Sequence, residues 1–105
     1  MREFSVSLLQ EALQRHDKIL FSILFGSSQG GLIKDNADVD VAGYLAEKPS
    51  PDMLAEIVGL VQDTLHYDAV DLIVLNTSDP LLAFEALSGK LLSCRDDEAY
   101  ASFFP

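Results

Sequence analysis

Three aspartates that lie in or beside apolar segments are the residues of this sequence best suited to chemistry. Asp38 and Asp40 alternate with valine at the start of the segment DVDVAGYL. Asp71 stands just before the apolar run LIVL. If the first segment is a strand, both of its carboxylates project from one face, roughly 7 Å apart along the backbone. Three converging carboxylates repel one another unless a cation neutralises them, so the pattern predicts a Mg²⁺ site built from Asp38, Asp40 and Asp71.

A glycine-serine turn precedes these aspartates. Gly26 and Ser27 directly follow an apolar segment, and backbone N–H groups in such a turn can bind phosphate. Gly31 is expected to let the backbone bend back close to the ligand. Alone, the turn also fits an ordinary flexible loop, and an isolated Asp-x-Asp pair also fits a solvated strand face. Together they predict metal-dependent chemistry on a nucleoside triphosphate, with the aspartates as catalytic residues and Asp71 as a candidate base.

Helices and strands alternate along the chain and must position these residues. Apolar periodicity, with N-cap signals at Ser5, Ser50 and Asp79, predicts helices at 5–16, at 51–66, between Asp79-Pro80 and Gly89, and as one or two turns in 96–103. Apolar runs predict strands at 18–25, 38–45 and 69–75, with an edge strand at 90–94. The segment 26–37 is predicted as a turn or short helix. This order predicts an α/β (α+β) fold, in which helices flank a mixed sheet of three to four strands as one pair of layers.

Length and charge limit the functions that the chain can have. Its 105 residues fit one domain, 1–105, with one core. The formal net charge is −10, from 17 acidic and 7 basic side chains. Direct binding to nucleic acid or to an anionic membrane is therefore disfavoured, because both need a basic surface. A basic partner protein is favoured by the same charge.

The predicted compartment is a reducing cytoplasm. Cys94 is the only cysteine, so no disulfide can form within the chain. The N-terminal residues MREFSVSLLQ lack the long apolar core of a signal peptide, and the run ILFSILF is too short to span a bilayer.

The combination of GSSQGG, NADVDV and VDLIVL resembles the minimal nucleotidyltransferases of the DNA polymerase β-like superfamily, across residues 18–93. The resemblance implies that Gly26 and Ser27 contact the triphosphate of ATP. It implies that Asp38 and Asp40 bind two Mg²⁺ ions and that Asp71 completes the site. It also implies an antitoxin role, in which AMP passes from ATP to a tyrosine of a small helical HEPN toxin.

The turn departs from the family pattern at the positions where arginines often stand. This chain has Ser28, Gln29 and Gly30 there, so triphosphate binding is expected to be weaker or to rely on Lys34 or Lys90. For either lysine on its own, the favoured interpretation is an exposed, solubilising side chain. Two alternatives therefore stay open. In one, the protein neutralises its partner by binding it, with a weak or inactive site. In the other, the nucleotide is transferred to a small molecule.

Overall fold

A four-stranded mixed sheet forms the centre of the structure, a computed structural model that describes residues 1–103. The strands are β1 (Arg2–Glu3), β2 (Ile19–Phe25), β3 (Leu32–Ile33), β4 (Val39–Leu45), β5 (Val70–Val74) and β6 (Lys90–Cys94). The helices are α1 (Val6–Gln14), α2 (Pro51–Leu65), α3 (Pro80–Leu87) and α4 (Asp97–Ser102). The predicted fold class is confirmed.

The strand order of the central sheet is β5-β4-β2-β6. Strand β2 runs antiparallel to β4 and to β6, whereas β4 and β5 are parallel. One edge of the sheet therefore collects the end of β2 and the beginnings of β4, β5 and β6. The short antiparallel pair β1–β3 was not predicted, because two residues per strand are too few to show a period.

The helices cover both faces of the sheet, so the predicted single pair of layers is wrong. Helices α1 and α2 pack on one face in a first core, and α3 and α4 pack on the other face in a second core. The reason lies in β2, where Leu24 belongs to the first core while Ile23 and Phe25 belong to the second. A strand that is buried on both sides needs a cover on each.

Side-chain caps set the starts of the helices as predicted. Ser5 and Ser50 accept hydrogen bonds from backbone N–H groups of the first turns of α1 and α2, at 3.2 and 3.1 Å. Asp79 does the same for α3 at 2.8 Å, with Pro80 at the first helical position. Among the helices described in residues 1–103, none is long and apolar enough to cross a membrane.

Gly89 holds the end of α3 against the end of β2. A Cβ at this position would lie 2.4 Å from the carbonyl oxygen of Leu24 and 2.7 Å from the Cβ of Phe25. Only glycine permits this approach, since those contacts are with backbone and with the base of a buried side chain. The connection between α3 and β6 is thereby fixed beside the residue that precedes Gly26.

We predict that Gly89→Ala destabilises the protein by about 1–3 kcal/mol, because backbone must move to admit the methyl group. Equilibrium urea unfolding measures the change. Gly59→Ala in α2 is the matched control, since a Cβ there meets no atom within 4 Å and alanine stabilises a helix by up to ~1 kcal/mol. Equal midpoints for Gly89→Ala and the unmodified protein would show that the close approach is not a constraint.

Candidate active site

The register of the sheet lines up the predicted site residues at one edge. Phe25, the last residue of β2, pairs with Asp40 of β4. Asp40 in turn pairs with Asp71 of β5. The turn that begins at Gly26 and the two aspartates therefore lie side by side across three neighbouring strands, although they are far apart in sequence.

Both strand aspartates lie on the sheet face that α3 and α4 cover. Their neighbours Val39, Val41 and Leu72 belong to the first core on the other face. Since side chains alternate along a strand, Asp40 and Asp71 project toward the second core, at its open edge. Asp40 is half-buried there and Asp71 is exposed.

Asp38 lies one residue before β4 and is exposed. Its charge nevertheless acts on Asp40, as does the charge of Asp71. Within the described part of the chain, no three His, Cys, Asp or Glu side chains stand together as a ready cation site. The structure thus places the three predicted ligands at one edge of the sheet, and their convergence on a cation stays a prediction.

The pKa of Asp40 is raised above its usual value. Burial contributes most, followed by the negative charges of Asp71, Asp38 and Glu85. A half-buried carboxylate among like charges is relieved by a proton or by a cation. Because all four groups are hard oxygen donors, the residues present fit Mg²⁺, which prefers a few carboxylates together with phosphate and water oxygens.

Glu85 is the member of this acidic group that sequence reasoning missed. It lies on α3, 14 residues after Asp71, and only the packing of α3 on the sheet brings its charge near Asp40. One signal was present in the sequence, since Glu85 is the only charged residue in the helix PLLAFEAL.

Gly26 lies directly against the carboxylate of Asp40. Its φ of +77° is favourable for glycine, and a Cβ there would lie 2.4 Å from Oδ2 of Asp40. The residues Gly26–Ser28 form a single turn of 3-10 helix directly after β2, and Ser27 in this turn is exposed. The backbone predicted to hold phosphate therefore adjoins the central aspartate.

Gly31 is turned toward the N-terminal segment. Its φ is +86°, and a Cβ would lie 3.3 Å from Cγ2 of Val6 and 3.4 Å from the carbonyl oxygen of Phe4. The N–H of Phe4 also donates a hydrogen bond to the Gly31 oxygen at 3.0 Å. The structure gives Gly31 a packing role, while its predicted role in ligand binding stays a prediction.

Ser28 and Gln29 of the turn differ in their contacts with the rest of the protein. Ser28 is buried, and its hydroxyl has no hydrogen-bond partner among the described residues. The Gln29 side-chain amide donates to the Gly26 carbonyl at 3.4 Å.

Of the two candidate lysines, Lys90 pairs with Leu24 and so begins β6 at the same edge of the sheet as the aspartates.

We predict that Asp40→Asn stabilises the protein at neutral pH without divalent cations, because it removes a half-buried charge. The raised pKa in the folded state means that ionised Asp40 opposes folding above that pKa. The stability gained by Asp40→Asn should shrink as the pH falls through the raised pKa of Asp40 in the folded protein, toward the ordinary value of 3.8, because the wild-type carboxyl becomes protonated. Thermal unfolding in EDTA across this range measures the effect. Asp63→Asn on α2 removes the same charge away from the site, and an equal gain there would assign the effect to net charge.

We also predict that Gly26→Ala costs about 1–3 kcal/mol and that part of this cost disappears in an Asp40→Ala background. The positive φ remains in both backgrounds, whereas the clash with the carboxylate exists only in the first. A double-mutant cycle by urea unfolding should give a coupling of at least ~0.5 kcal/mol. Strict additivity would contradict the contact.

Solved structures share this fold at low sequence identity. A toxin-antitoxin complex with AMP-PNP contains a chain 22% identical to this one, with a TM-score of 0.75 over 95% of this chain and 81% of that chain. An MNT antitoxin complex with the tri-AMPylated Shewanella oneidensis HEPN toxin gives 22% identity and a TM-score of 0.63, over 93% and 72%. A MntA-HepT toxin-antitoxin structure gives 22% and 0.63, over 93% and 73%. Likeness at this identity establishes the fold.

No curated protein sequence matches the chain significantly. The family profile described as Polymerase beta, Nucleotidyltransferase matches residues 8–98, a span that includes the glycine-serine turn and all three aspartates. The superfamily expected from the sequence motifs is confirmed by this match. The chain therefore belongs to the polymerase beta nucleotidyltransferase family.

Proposed function

We propose that the chain is a Mg²⁺-dependent nucleotidyltransferase that transfers AMP from ATP to a tyrosine hydroxyl of a partner HEPN toxin and so acts as its antitoxin. The observation that carries the proposal is the alignment of Gly26, Asp40 and Asp71 across adjacent strands. Family membership supports nucleotidyl transfer, and the fold shared with an AMP-PNP complex and a tri-AMPylated toxin complex supports this donor and acceptor. We propose further that residues 1–105 act as one domain and that the protein works in the cytoplasm.

The proposal gives each residue of the candidate site a task. Asp38, Asp40 and Asp71 would hold Mg²⁺, which would supply positive charge to offset the negative charge that develops on the phosphate during transfer. The backbone N–H groups of Gly26 and Ser27 would hold the triphosphate. The acceptor oxygen then bonds to the α-phosphorus while the bond to pyrophosphate breaks. Asp71 is exposed, so an acceptor hydroxyl can reach it and pass its proton to that carboxylate.

A second candidate is a binding antitoxin with a weak site. It is favoured by the turn itself, which carries no arginine and whose Gln29 side chain is bonded to the backbone of Gly26. Inhibition by complex formation needs a complementary surface but no catalysis. A third candidate, transfer to a small molecule, has no observation in its favour beyond family membership.

We predict that the variant Asp38→Asn/Asp40→Asn loses all label transfer while staying folded, because it removes two of the three proposed cation ligands. Purified protein, α-labelled ATP and Mg²⁺ are added to extract of the source cell, and labelled protein is detected on a gel. The variant Asp52→Asn/Asp63→Asn removes the same charge from α2 and should transfer normally.

The outcomes separate the three candidates. A labelled band that requires Asp38 and Asp40 supports protein modification and gives the size of the acceptor. Equal labelling by wild type and the double variant would refute the proposed site. Absence of a band, with Mg²⁺-ATP binding intact, points to a small-molecule acceptor. Absence of both the labelled band and Mg²⁺-ATP binding, with the double variant still protecting cells from the toxin, points to the binding antitoxin.

A further inference from the structure

Helix α3 is apolar on the side that faces water as well as on the side that faces the sheet. Ala83 and Ala86 pack into the second core. Leu81 and Phe84, three residues apart and therefore neighbours on the helix surface, are 81% and 70% exposed. A helix with apolar residues on opposite sides is normally covered on both, and an exposed apolar pair of this kind marks an interaction surface.

This exposed face of α3 borders the acidic edge of the sheet. Glu85 follows Phe84 directly, is itself exposed, and lies close enough for its charge to act on Asp40. The close approach at Gly89 fixes the end of the same helix against Leu24 and Phe25. A molecule resting on α3 is therefore held next to the site.

Charge decides which kind of molecule fits this surface. The segment 49–89, which contains β5 and α3, has no lysine or arginine. Three of its acidic residues lie next to this face, since Asp71 is on β5, Asp79 caps α3 and Glu85 is on α3, while Lys90 begins β6 at the same edge. A second copy of the chain would bring a net charge of −10 against the same acidic surface and be repelled. A partner that presents apolar side chains beside lysine or arginine is attracted to it.

We infer that the face of α3 formed by Leu81, Phe84 and Glu85 is the docking surface for the acceptor protein. An apolar side chain of the acceptor covers Leu81 and Phe84, and a basic side chain of the acceptor lies opposite Glu85. Docking there delivers the acceptor hydroxyl to the exposed carboxylate of Asp71. The inference rests on the proposed function and adds the place where the acceptor binds.

The test compares wild type with the variant Leu81→Ser/Phe84→Ser. The substrate is the acceptor protein that the labelled band identifies, purified separately in its folded, unmodified form. We expect KM for this acceptor to rise at least about tenfold, with kcat and Mg²⁺-AMP-PNP binding unchanged, because a central apolar contact is lost away from the nucleotide. Leu8→Ser is the matched control, since Leu8 is 56% exposed on α1 in the opposite layer. Both altered side chains are mostly exposed, so the variant should fold, and the single change Leu81→Ser provides a second, milder version.

Unchanged KM in both α3 variants would overturn the inference while leaving the proposed function standing. An equal rise in KM for Leu8→Ser would also overturn it, because the effect would not be specific to α3. A wild-type dimer that Leu81→Ser/Phe84→Ser dissociates in sedimentation experiments would assign the face to a second copy instead. Failure of the wild type itself to label any protein would reject the proposed function, and the docking inference with it.

Discussion

The pairing register between β2 and β4 is the constraint on which the site depends. It sets Phe25 opposite Asp40, so the chain leaves β2 at Gly26 directly over the carboxylate. A slip of one residue would turn Asp40 toward the first core and turn the valines on either side of it toward the face that Asp40 occupies. The buried faces of β4 therefore fix the position of the aspartate, and the geometry of the candidate site follows from core packing.

The same packing leaves the acidic edge under electrostatic strain. Asp40 is partly desolvated, and the negative charges of Asp71, Asp38 and Glu85 also raise its pKa, so the folded protein keeps the ionised carboxylate only at a cost in free energy. Carboxylates whose ionised form opposes folding are characteristic of sites that bind a cation or a substrate. The glycines at 26 and 89 carry a cost in conformational entropy, because glycine loses more backbone freedom on folding than other residues. In return, neighbouring groups can approach the backbone where a side chain would stand.

Much of this arrangement was predictable from local patterns, and the rest required distant contacts. Caps at Ser5, Ser50 and Asp79 and the apolar runs predicted the major helices and strands, because those signals act within a few residues. The prediction of a single pair of layers overlooked what the apolar run ILFSILF indicates, because a strand without polar alternation is buried on both faces and needs a layer on each. Glu85 was missed for a different reason, because its place beside Asp40 depends on how α3 packs.

The open side of the site explains why the acidic edge and the face of α3 belong together. The described structure surrounds the aspartates on one side with the turn after β2 and on another with α3, and leaves Asp71 exposed at the edge strand β5. A small acceptor would need further protein surface on that open side to hold it, whereas a folded protein acceptor supplies that surface itself. An apolar helix face beside an open acidic edge suits an acceptor that is itself a surface, which is why we favour a protein over a small molecule.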